Sequence, residues 1–116
     1  MDASELDGLL ASVEEAQARA ERQVAALEQT VAAIVEGAEL TATDDEHDPE
    51  GATIAYERAK AIALLHQARA DLEALAAMRR VLETGQQVRC ADCGDAIDPA
   101  RLAALPTTTR CIRCAS

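Results

Sequence analysis

Phenylalanine and tryptophan are absent from these 116 residues, and there is one tyrosine. Large aromatic side chains normally fill much of a globular core, and Ala, Leu and Val alone would leave one thin at this length. Such a composition suits an extended pair of helices, where small residues fill a narrow seam. No run of eighteen apolar residues occurs, so no segment is expected to span a membrane. Positive charge is scarce at the start. Residues 1–50 hold fourteen Asp or Glu against Arg19 and Arg22, a net of −12, whereas 51–85 and 86–116 each net +1. A chain with a net charge of −10 is repelled by phosphates, which excludes the usual electrostatics of DNA binding. A basic protein surface or a metal-bearing groove is the more natural partner. The opening Met1-Asp-Ala-Ser-Glu-Leu-Asp is acidic without an apolar centre. It does not read as a signal peptide, so a cytoplasmic location is expected.

Four cysteines are present, and they fall into two pairs, Cys90-Ala-Asp-Cys93 and Cys111-Ile-Arg-Cys114, with seventeen residues between them. Two such pairs bring four thiolates around one tetrahedral zinc ion, and Gly94 lets the backbone turn back just past the second sulfur. The candidate metal ligands are therefore Cys90, Cys93, Cys111 and Cys114, holding one structural zinc with no open position for catalysis. Two disulfides are the alternative. They require an oxidising compartment, and pairs this close in sequence suit a metal better.

Upstream, heptad periodicity dominates. Positions 6, 10, 13, 17, 20, 24, 27, 31, 34 and 38 step by four and three, and nine of the ten are apolar; Gln17 is the polar one, of the kind that fixes register. This predicts a helix of about 35 residues, roughly 50 Å long, with Ser4 as its N-cap and Asp7 completing an approximate capping box. Gly37 weakens its end. The stretch 39–51 has no period and holds five acids between Asp44 and Glu50, with Pro49 and Gly51 as breakers. A second helix is predicted from Pro49 or Ala52 to about Glu83, with Gly85 as its stop. Its seam is Ile54, Arg58, Ala61, Leu65, Ala68, Leu72, Leu75, Arg79 and Leu82, widened by Leu64 and Met78. Arg79 and Arg80 fall in its last turns, where cations suit the helix dipole.

Two long seams joined by a short breaker pack as an antiparallel hairpin. Pairing between chains is the alternative, but the breaker sits midway and the arms match, so a monomer is expected. The fold class is thus all-α: a coiled-coil hairpin over residues 1–85, with an acidic tip at 40–53, followed by a four-cysteine zinc module at 86–116. Within the module, Asp98-Pro99 opens and Pro106 closes a two-turn helix, with Ile97 and Leu102 as its small core. Arg89, Arg101, Arg110 and Arg113 read as surface charge. His47 and His66 have no partner at ligand spacing.

Cys90, Cys93, Gly94, Ile97, Arg101, Leu102, Pro106, Cys111, Ile112 and Cys114, placed after a hairpin with an acidic tip, make the chain resemble the DksA/TraR family of bacterial transcription factors. The resemblance implies a regulator that binds RNA polymerase without binding DNA. Its zinc module braces the base of a coiled coil whose tip enters the polymerase secondary channel and modulates initiation. The polymerase-facing tip would then be Asp44, Asp45, Glu46, Asp48 and Glu50, with Asp48 foremost. Enzymatic activity of the isolated chain is not expected, because no nucleophile is paired with a base and the metal site is closed. Other readings of the same residues are an adaptor with an inert tip and an accessory to transcript cleavage.

Two departures bear on this. The family's Asp-x-x-Asp-x-Ala tip corresponds here to Asp48-Pro49-Glu50-Gly51-Ala52-Thr53, so Gly51 stands in place of the second acid and Thr53 in place of the Ala. Members that respond to guanosine tetraphosphate carry bases where this chain has Leu105 and Ala115. A polyanionic ligand needs several cations, so a weak or absent alarmone response is expected.

Overall fold

Asp2 starts the first helix. Its carboxylate accepts a hydrogen bond from the Glu5 backbone N–H at 2.7 Å, and its carbonyl accepts from Leu6 at 3.0 Å. The N-terminal cap is therefore Asp2, two residues before the expected Ser4, with Glu5 three residues on. Both residues can cap, but Asp2 has an acid three positions on that reaches back to it, and Ser4 has only the shorter Asp7. The Glu5 N–H holds the Asp2 carboxyl below its ordinary range, while hydrogen bonding to Asp2 raises Glu5.

The structure is a computed structural model and describes residues 2–40 and 49–115, with side chains for 2–37 and 51–115. Helix α1 spans Ala3–Leu40 and α2 spans Pro49–Glu83. Two short helices follow, α3 at Pro99–Ala104 and α4 at Ile112–Ala115. Helix α1 runs three residues past Gly37, because a single helical glycine costs only about 1 kcal/mol. Helix α2 ends as expected: Gly85 takes φ +75°, and its N–H returns to the Leu82 carbonyl at 3.0 Å. The two long helices form a hairpin. The tip residues Asp44, Asp45, Glu46 and Asp48, with His47, lie outside the described residues; Glu50 falls in the first turn of α2.

The chain divides into two compact units, Met1–Arg19 with Asp71–Ser116, and Ala20–Ala70. Among the described residues of the second unit the buried apolar ones are Ala20, Ala61, Leu65 and Ala68, so alanine supplies three of four. That is the narrow seam the composition demanded. In the first unit Leu9 and Val13 of α1 and Leu75, Met78 and Leu82 of α2 are buried, together with Val88, Ile97, Leu102, Cys90 and Cys111. The ends of the hairpin thus share one core with the cysteine module.

The described seam positions are buried or half-buried as the heptads require, apart from the exposed Arg58, and two leucines beside the seam depart from the pattern. Leu64, assigned to the apolar stripe, is 45 % exposed, and Leu9, outside the seam, is 5 % exposed. Leu9 is covered because it belongs to the unit that contains the cysteine module; Pro99 and Ala103 of α3 border the same groove as Gly8, Leu9 and Ser12. A heptad pattern describes two helices and has no knowledge of a third element. Arg79, a seam position of α2, contacts Glu14 and Gln17 of α1 as well as lying near the C-terminal dipole of its helix.

Candidate metal centre

The cysteine module is built around two backbone knuckles. In the first, the Gly94 N–H donates to the Cys90 carbonyl at 2.9 Å, and Gly94 sits at φ +79°, where a side chain would be strained. The Cys90 N–H donates to Asp95 at 2.8 Å and Ile97 to Val88 at 2.8 Å, flanking an isolated antiparallel bridge between Arg89 and Ala96. This is a hairpin of minimum length, and it faces Cys90 inward. In the second knuckle Cys111 precedes α4, and the Cys114 and Ala115 N–H groups return to its carbonyl at 3.1 and 3.0 Å. A further bond joins the knuckles, from the Ala91 N–H to the Thr109 carbonyl at 2.8 Å.

Helix α3 lies between the knuckles in sequence. Asp98 caps it by accepting from the Ala100 N–H at 2.9 Å, with Pro99 in the first turn. It buries Leu102 beside the equally buried Ile97, as the sequence indicated.

These elements bring the four sulfurs together. The sulfurs of Cys90, Cys93, Cys111 and Cys114 all lie within 4.8 Å of one another, and those of Cys93 and Cys111 are 3.7 Å apart. A disulfide requires about 2.05 Å, and all four cysteines are free thiols. Sulfurs bound at 2.3 Å to a tetrahedral zinc stand about 3.8 Å apart along each edge. The observed spacing therefore fits a tetrahedral thiolate site and does not fit disulfides. His66 is exposed and lies outside the cluster.

The electrostatics of the cluster favour a cation. Backbone N–H groups, first that of Cys111 and then that of Cys93, donate to the Cys90 sulfur and draw its pKa down to about 6. The Cys114 N–H acts first in lowering Cys111. The Asp95 N–H pulls Cys93 down, but burial and the sulfurs of Cys90 and Cys111 outweigh it and the net shift is upward. Hydrogen bonding to Cys111, then to Cys90 and Cys93, keeps Cys114 protonated and pushes it up to about 12. Four thiols this close cannot all ionise alone, and a divalent cation removes that obstacle.

The arginines of the module lie at its surface, with Arg101 half-buried, and Arg101, Arg110 and Arg113 also make specific contacts. Arg101 donates through Nε to the Arg110 carbonyl at 2.9 Å, just before the second knuckle. Arg110 pairs with Asp92 at 3.1 Å, inside the first knuckle, and Arg113 pairs with Asp95. Each ion pair links one knuckle to the other. Sequence reasoning missed these because the partners are eighteen residues apart; the signal available was that Asp92 and Asp95 flank one pair while Arg110 and Arg113 flank the other.

The fold and site define a helical hairpin carrying a C-terminal C4-type zinc finger. Residues 84–116 match the family model of the prokaryotic dksA/traR C4-type zinc finger, and the four clustered cysteines of that segment suit one structural zinc. Among solved structures the chain is similar to transcription factor DksA2 from Pseudomonas aeruginosa, with a TM-score of 0.80. The identity is 17 %, and the match covers 99 % of this chain and 83 % of that one. At that identity the likeness concerns the fold. No curated protein sequence matches the chain.

Proposed function

We propose that this protein is a transcription regulator that binds RNA polymerase and not DNA. On this reading the coiled-coil tip enters the secondary channel and modulates initiation. The observation that carries the proposal is the pairing of a dksA/traR zinc finger with a hairpin whose fold is shared with a transcription factor. Charge agrees with it: a net of −10 disfavours DNA and suits a basic, metal-bearing cleft.

Cys90, Cys93, Cys111 and Cys114 hold the zinc, whose role is to cross-link the two knuckles. Their side of the molecule shares one core with the ends of the hairpin, so the finger stiffens the base of the rod. The tip carboxylates Asp44, Asp45, Glu46, Asp48 and Glu50 face the polymerase, where they perturb metal-bound water or a mobile loop. Gly51 and Thr53 alter the family's tip pattern, so the effect on initiation differs from that of family members with the full motif. Leu105 and Ala115 leave no cations for an alarmone at the positions where responsive members carry them. The protein acts as a monomer in the cytoplasm.

Competition for core RNA polymerase from the same bacterium against a known secondary-channel factor tests the proposal. Displacement is expected, and Asp48→Asn should keep binding while weakening the effect on initiation. Absence of binding by zinc-loaded protein would overturn the proposal.

A further inference from the structure

A seam built from Ala, Leu and Val is repetitive, and repetition leaves register poorly specified. Sliding α1 along α2 by three, four or seven residues exchanges one apolar side chain for another at nearly every seam position. One pair breaks that degeneracy. Gln17 is the single polar residue among the ten seam positions of α1, and Arg79 is one of two in α2. The structure places them together although they are 62 residues apart in sequence, with the Arg79 guanidinium 3.3 Å from the Gln17 side-chain oxygen. The same guanidinium meets Glu14 of α1 at 3.1 Å and Glu83 of its own helix at 2.9 Å. Three nitrogens of one planar group are thus committed to three acceptors, two of them a helical turn apart on the opposite helix. Buried Leu75, Met78 and Leu82 lie on the same helix, either side of Arg79 in sequence.

We infer that Arg79, through Gln17 and Glu14, is the register key of the hairpin. In every slip that keeps the seam apolar, the residue that replaces Gln17 opposite Arg79 is Val13 or Ala20 for the shorter steps and Leu10 or Val24 for a full heptad. Each of these takes the Gln17 oxygen away from its place at the guanidinium, while Glu83 of the same helix stays in reach and the place of Glu14 passes to Leu10, Gln17, Asp7 or Glu21. The lost Gln17 contact is what carries the cost, since a part-buried guanidinium nitrogen deprived of its acceptor against an apolar seam is unfavourable. The native register is the one in which polar meets polar. This is independent of the proposed function, although any function using the segment between the helices depends on it, because a slip changes which residues form that connection.

The test reads register directly in the full zinc-loaded chain. Spin labels on unnatural amino acids at exposed Ala11 and Glu73 leave the four cysteines undisturbed, and pulsed electron resonance gives the distance between them. The native sequence should give one narrow distance. In the double variant Gln17→Ala, Arg79→Ala, helicity should persist, and a second population should appear, displaced by about 5 Å or about 10 Å, at 1.5 Å per residue of slip. A folded double variant with the single native distance overturns the inference and reduces the network to an ordinary surface contribution. Should the double variant lose its helicity, Arg79→Lys decides. Lysine keeps the charge and the stem but cannot reach three acceptors in a fork, so a second population is expected there too, and a single native distance overturns the inference.

Discussion

Leu64 and Leu82 occupy the same helix and were equivalent members of one apolar stripe by sequence, yet truncating them should have very different consequences. Leu82 is 1 % exposed, in the unit that holds the cysteine cluster, whereas Leu64 is 45 % exposed. Leu82→Ala forfeits the full transfer free energy of the removed methyl groups and leaves a cavity, for a total of about 3 kcal/mol. Leu64→Ala forfeits about half of the transfer term and leaves no cavity, and alanine is the better helix former, so its cost should stay below about 1 kcal/mol. A chain of this size moves its midpoint by about 4 °C per kcal/mol. Thermal melts of the zinc-loaded protein followed by circular dichroism should therefore separate the two variants, with Leu82→Ala lower by about 12 °C and Leu64→Ala by less than about 4 °C. Equal shifts, or a larger one for Leu64→Ala, would refute the assignment of the core to the finger side of the hairpin.

Other expectations follow from single contacts. Gly85→Ala forces a left-handed backbone on a residue with a Cβ; nothing lies within 4 Å of that position, so the cost is conformational alone, about 1–2 kcal/mol by denaturant titration, and Gly85→Asn should be milder. Asp2→Ala removes the α1 cap. Because the folded carboxyl is held below its ordinary pKa by the Glu5 N–H, its contribution is present above the unfolded carboxylate pKa and is lost as pH falls through the folded value. The stability difference between native and Asp2→Ala protein should accordingly vanish in acid and be complete at neutral pH. Zinc needs thiolates, and the metal-free cluster keeps Cys114 protonated with a pKa of about 12. Binding must then release protons and tighten as pH rises, which calorimetry in buffers of different ionisation enthalpy detects. Cys111→Ser should abolish tight zinc binding and lower the melting of the finger side, measured by metal content and circular dichroism.

Much of this molecule is local and could therefore be read from the chain. Helix extents follow from the heptads and from Pro49 and Gly85, since periodicity and backbone permission are properties of a few neighbouring residues. The cysteine centre follows from spacing, because a Cys-x-x-Cys knuckle and its glycine impose their own geometry. The α3 boundaries follow from Asp98, Pro99 and Pro106 for the same reason. Only the tertiary structure could decide the rest. The burial of Leu9 depends on where a third element packs, which no helix pattern contains. Arg79 finds Gln17 across 62 residues, and Arg110 and Arg113 find Asp92 and Asp95 across eighteen. Side-chain partners at such separations are chosen by how the elements dock. Docking is settled by the summed packing of the whole unit, and no single stretch of sequence encodes that sum.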